Sequence, residues 1–164
     1  MHTIVLATDG SPSAQNATEK AVELARATGW PLRIVSAWQP PNLVGSYYGY
    51  AIPAEYAPEL IDAERQHAER VVAEAAERAE ATGVSAQTEI RQGSPVEEIS
   101  AAATDADASF IVVGAHGWGG LKRFVFGSVS TGLLHDAPCG VLVVRGGETA
   151  VEPALAVAAE DQAS

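Results

Sequence analysis

TIVLATDGSP, residues 3–12, decides the architecture. Thr3 to Thr8 form a short apolar run, and Asp9-Gly10-Ser11-Pro12 closes it with a turn and a helix cap. Pro12 stands near the first helical position, where its missing N–H costs nothing. A buried strand feeding directly into a helix is therefore expected. The same alternation repeats outward. Ala17, Ala21, Leu24, Ala25 and Thr28 share one helical face, Gly29 supplies the stop, and Leu32 to Trp38 read as the second strand. Glu59 to Thr82 carry Ile61, Ala68, Val72, Ala75 and Ala79 on one face, and Gly83 ends that helix. Val84 to Gln92 form a third strand. Ser94-Pro95-Val96-Glu97 read as a capping box that opens a helix to about Thr104. Ser109 to Val113 are a fourth strand, Phe124 to His135 a helix with Val125, Val129 and Leu133 on one face, and Val141 to Arg145 the last strand. Continuous apolar strands separated by amphipathic helices predict a doubly wound α/β fold, a parallel sheet with helices on both faces. Ligands in such sheets sit beyond the carboxyl ends of the strands, where the winding reverses.

The chain has 164 residues and fits one domain. Residues after Gly146 hold four acids, no base and much alanine, so we expect a domain over 1–146 and an acidic, Ala-rich, disordered tail over 147–164. Residues Gln39 to Pro58, with four prolines and the Tyr47, Tyr48 and Tyr50 cluster, read as a long loop that lids a ligand, meets a partner or packs on the domain. No apolar run is long enough to cross a bilayer, and MHTIVLATDG has neither the basic flank nor the long apolar core of a signal peptide. A cytoplasmic protein without a membrane partner is expected. Cys139 is the single cysteine, which excludes an internal disulfide and a cysteine-rich zinc site. His135 lies four residues before it, but Pro138 breaks the helix that would align the pair. A formal charge of −11 argues against a general nucleic-acid binder.

A bound anion needs a local exception to that charge, and one exists. Between Asp107 and Asp136 there is no acidic residue, while His116, Lys122, Arg123 and many glycine amides fall inside the window. After the fourth strand the chain reads GAHGWGGLKRFVFGSVS, residues 114–130. Glycines let the backbone approach an anion, a helix start adds partial positive charge, and Ser128 and Ser130 offer hydroxyls, so the segment is a candidate phosphate holder.

Gly114, Gly117, Gly127 and Ser128 fall in the G-x2-G-x9-G-[ST] pattern, and the chain here resembles the universal stress protein family, nucleotide-binding members included. The likeness extends to ATDGS at 7–11, GSVSTGLLHDAPC at 127–139 and the closing VLVVR, so it spans nearly everything up to Arg145. It departs from the pattern at Trp118, where a basic or small polar residue is common, and at Gly140, where a proline commonly follows the cysteine. The resemblance implies a five-stranded sheet of order 3-2-1-4-5, the adenine-nucleotide alpha-hydrolase-like architecture. It also implies an ATP-type site in which Ala7, Thr8 and Asp9 lie near the adenosine and Ala37 lines the base pocket. Val113, Gly114, His116, Gly117, Gly127, Ser128, Val129 and Ser130 would complete the binding set. Asp9 is then a candidate Mg²⁺ ligand as well as a candidate helix cap. His116, Lys122 and Arg123 are read either as phosphate contacts or as solvated side chains. Homodimers through Val141, Leu142, Val143 and Val144 are implied too, and an exposed apolar edge strand calls for such protection in any case.

The expected function is an adenine-nucleotide (ATP) binding regulatory protein of the stress response, with cyclic AMP binding or a dimerisation module with a vestigial site as alternatives. No GxxxxGK[ST] loop is present, and only Asp9 is an evident hydrolytic group, so slow ATP hydrolysis is the ceiling and no catalytic residue is assigned. A receiver-type phosphoacceptor reading fails because the third strand ends in Gln92-Gly93, and a serine hydrolase reading fails because G-x-S-x-G is absent around Ser128 and Ser130.

Overall fold

A computed structural model describes residues 2–40, 57–116 and 126–145. Its elements are β1 (Thr3–Ala7), α1 (Pro12–Thr28), β2 (Leu32–Trp38), α2 (Ala57–Glu80), β3 (Ala86–Gln92), α3 (Pro95–Asp105), β4 (Ala108–Gly114), α4 (Ser128–Asp136) and β5 (Gly140–Val144). All strand pairs are parallel, and the order is β3-β2-β1-β4-β5. This is the doubly wound sheet expected from the alternation of strands and helices.

The side-chain period of two divides each inner strand between two cores. Ile4, Leu6, Leu32, Ile34 and Val112 pack beneath α1 and α2, whereas Val5, Ala7, Val35, Ile111 and Val113 pack beneath α3 and α4. Burial on both faces explains why β1 and β4 read as continuous apolar runs. The helices meet the sheet largely through small residues, Ala17, Ala21 and Ala25 on α1 and Ala75 and Ala79 on α2, so their backbones approach it closely. At the edge, β3 mixes half-buried and exposed positions and is laced by Arg91, which pairs with Glu89 at 2.7 Å and Asp105 at 2.6 Å. The opposite edge is β5, where Leu142 is 42% exposed.

Three local readings change. Ser11, not Asp9, is the N-cap of α1: its Oγ accepts from Ala14 N–H at 3.3 Å, while Asp9 Oδ1 accepts from Ser11 N–H at 2.9 Å and shapes the turn before it. Ser94 is an N-cap by position, with Pro95 behind it, but its side chain makes no capping bond. Finally, α4 begins at Ser128 instead of Phe124, because Gly127 is extended (φ −64°, ψ 163°) and Phe126 precedes the helix. The Tyr47–Tyr50 loop and the 147–164 tail lie outside the described residues.

Candidate functional site

Because the chain winds from β1 through β2 to β3 and then crosses back to β4, the connections leaving β1 and β4 diverge and open a crevice at their carboxyl ends. A cavity of about 450 Å³ occupies it. Ala7, Thr8 and Asp9 enter from β1, Ala37 from β2, Val113, Gly114 and His116 from β4, and Gly127, Ser128, Val129 and Ser130 from the start of α4. Every described residue of the sequence-selected set thus lines one cavity. Gly117 lies outside the described residues, as do Trp118, Lys122 and Arg123.

The wall is built from backbone ties. Ala115 N–H donates to Val144 at 2.8 Å, Gly127 N–H donates to Ala115 at 2.7 Å, and Ser11 Oγ donates to the His116 carbonyl at 3.3 Å. His116 N–H in turn donates to Ser13 Oγ at 3.3 Å. The loop leaving β4 is thereby fastened to α1, α4 and β5 together. An α-helix has no internal partner for its first N–H groups, so those of Ser128, Val129 and Ser130 are left for an acceptor at the cavity, with the positive end of the helix dipole behind them.

Side-chain roles within this wall divide sharply. Ser130 is 2% exposed, and its Oγ lies 3.1 Å from the Ala115 carbonyl and 3.0 Å from that of Gly127. Its hydroxyl proton therefore serves the loop, and what Ser130 presents to an anion is its backbone N–H. Ser128, at the exposed first helical position, keeps a hydroxyl on the solvent side. Gly114 owes its identity to packing: a Cβ there would stand 2.7 Å from the Ser13 carbonyl carbon and 2.9 Å from Ala14 N. The backbone angles of Gly127 suit any residue, so its conformation alone does not require glycine. The His116 Nδ1 is buried without a hydrogen-bond partner among the described residues.

Several lining residues escape sequence reasoning. Pro95 and Ile99 reach the cavity from the start of α3, Ala14 from α1, and Ala115 and Phe126 from the segments flanking the glycine pattern. Pro95 at a helix start beyond a strand's carboxyl end is a signal for such a role, but Ile99 reads only as core until α3 is placed. The lining is aliphatic at Ala7, Ala37, Ile99 and Val113 and polar at Thr8, Asp9, Ser128 and Ser130.

The sequence model of the universal stress protein family matches residues 1–145. The chain belongs to this family. A universal stress protein of Thermus aquaticus is 36% identical over 145 residues, covering 87% of this chain and 98% of its own. Among solved structures, the universal stress protein UspA from Lactobacillus plantarum superimposes with a TM-score of 0.74 at 28% identity, over 88% of this chain and 97% of that one. A universal stress protein solved in complex with cAMP gives a TM-score of 0.66 at 26% identity, over 89% and 98% of the two chains. As a universal stress protein, the chain is placed among stress-response proteins. Its described glycine-pattern residues, Gly114, Gly127 and Ser128, meet at one wall of one cavity.

Proposed function

We propose that this universal stress protein binds an adenine nucleotide in the switch-point cavity, base toward Ala7, Ala37, Val113 and Ile99, phosphates on the N–H groups of Ser128, Val129 and Ser130. The observation that carries the reading is the convergence of an aliphatic pocket and the N-terminus of α4 in a single cavity of about 450 Å³, within the size range of small-molecule sites. ATP is the ligand we favour. Cyclic AMP is the second reading, favoured by the relative solved with cAMP.

Asp9 faces the same cavity, one of its oxygens accepting from Ser11 N–H. Magnesium characteristically rests on one or two carboxylates plus substrate phosphates, so Asp9 suits a shared ion carried in with the nucleotide. Among the described residues no group of three His, Cys, Asp or Glu side chains forms a cage for a metal on its own. The domain is assigned to residues 1–146 with 147–164 as an appended tail, and a homodimer through the apolar edge of β5 is part of the proposal. No helix among the described residues is long and apolar enough to cross a membrane, which fits the proposed cytoplasmic location. The role is regulatory binding, with hydrolysis at most slow.

A ligand bound by the folded state alone raises the melting temperature. Thermal shift with ATP, ADP, AMP and cyclic AMP, each with and without Mg²⁺, is expected to show stabilisation of the wild type and a reduced shift for Gly127→Val. Failure of all four ligands at millimolar concentration, or equal shifts in both proteins, overturns the site.

A further inference from the structure

We infer that Arg145 is the cation that holds the outer phosphates of the cavity's ligand, an assignment that rests on the nucleotide reading above. Val144 ends β5 with its carbonyl accepting from Ala115 N–H at 2.8 Å and facing Ser13 Oγ at 3.4 Å. Arg145, the next residue, therefore leaves the sheet beside the Ala115-His116 loop that walls the cavity. Its guanidinium carbon stands 5.5 Å from the ring centroid of Phe126, and Phe126 lines the cavity just before Gly127 and Ser128. The cation thus rests on the electron-rich face of a ring that lines the cavity on the α4 side, next to the lining though not itself part of it.

Charge completes the argument. The described lining of the cavity contains Asp9 and no Lys or Arg, in a chain of net charge −11. The backbone N–H groups of α4 carry only partial charges and serve one phosphate well. A di- or triphosphate brings further negative charge beyond them. Arg145 is exposed, enters none of the ion pairs among the described residues, and presents planar donors that suit phosphate oxygens. Its contribution thus scales with phosphate number, which makes it a selector of polyphosphate over monophosphate ligands.

The test compares dissociation constants for ATP, ADP, AMP and cyclic AMP, measured by titration calorimetry on the full chain as wild type, Arg145→Gln, Arg145→Lys and Phe126→Leu. For Arg145→Gln we expect ATP affinity to fall about three- to ten-fold, the range for a charge-assisted contact at a partly exposed site, with AMP and cyclic AMP changing by under about two-fold. Arg145→Lys restores part of the loss, and Phe126→Leu lowers ATP affinity in the same direction. The thermal midpoints of the unliganded variants control for folding. Equal changes for ATP and AMP, or no change for either, overturn the role of Arg145 and leave the cavity reading standing. Absence of any nucleotide binding by the wild type overturns both.

Discussion

Ser130 Oγ lies 3.1 Å from the carbonyl of Ala115, tying the first turn of α4 to the loop that leaves β4. The same oxygen is 3.0 Å from the Gly127 carbonyl, so one buried hydroxyl organises both sides of the candidate phosphate wall. Ser130→Ala is expected to lose about 1 kcal/mol of stability in urea unfolding, the net worth of an intramolecular hydrogen bond, since the Ala115 and Gly127 carbonyls keep their bonds from Gly127 N–H and Thr131 N–H. Ser128→Ala, at an exposed position, is expected to stay within about 0.5 kcal/mol of wild type while weakening nucleotide binding. If the two variants lose stability alike, the division of labour between the serines is wrong.

Gly114 faces the backbone of α1 as well as the Ser13 hydroxyl, with a built Cβ 2.7 Å from the Ser13 carbonyl carbon. Rotamer changes cannot relieve that overlap, so Gly114→Ala must push α1 off β4. A loss of about 1–3 kcal/mol or more follows from overpacking of this kind. Chemical denaturation with no ligand present measures it, and an unchanged midpoint would falsify the packing explanation.

Ser11 is fully buried, accepts from Ala14 N–H as the cap of α1, and donates to the carbonyl of His116. Removing its hydroxyl in Ser11→Ala is expected to cost about 0.5–2 kcal/mol through the cap. Hydrogen exchange supplies the sharper check. The loss of protection should extend to residues 115 and 116 as well as the first turn of α1, and confinement to α1 counts against the tie.

Burial pushes the Cys139 thiol above its ordinary value, only partly offset by a hydrogen bond with the Ile111 backbone. Alkylation of the folded protein near neutral pH should be slower than that of a free thiol and should keep rising with pH beyond the usual thiol range. The unfolded chain deprotonates more easily, so this group's contribution favours the folded state below the unfolded thiol pKa. That contribution is lost as pH rises from there toward the raised folded value. A reaction rate that levels off in the ordinary thiol range contradicts the burial argument.

Strand positions were legible because the inner strands are buried on both faces. Ile4-Val5-Leu6 and Ile111-Val112-Val113 have no polar alternation to confuse with a surface element. The cavity's β1 and α4 residues were legible for a related reason: the turn after Ala7 and the glycine spacing through Gly127 are local features. What failed to show depends on distant packing. Ile99 is apolar for core and cavity alike, and only the placement of α3 separates the roles. The hydroxyl direction of Ser130 depends on where Ala115 lies, fifteen residues earlier. Phe126 looks helical by pattern, but the extended backbone at Gly127 moves it to the cavity mouth.

The backbone angles at Gly127, open to any amino acid, give this position a practical meaning that Gly114 lacks. Alanine, serine and valine form a series of increasing bulk there that the backbone angles admit, each changing the room left at the wall of the cavity. Position 127 is accordingly a dial: a graded series reads out how closely a ligand presses on the α4 amides, and it supplies closed-site partners for physiological comparison.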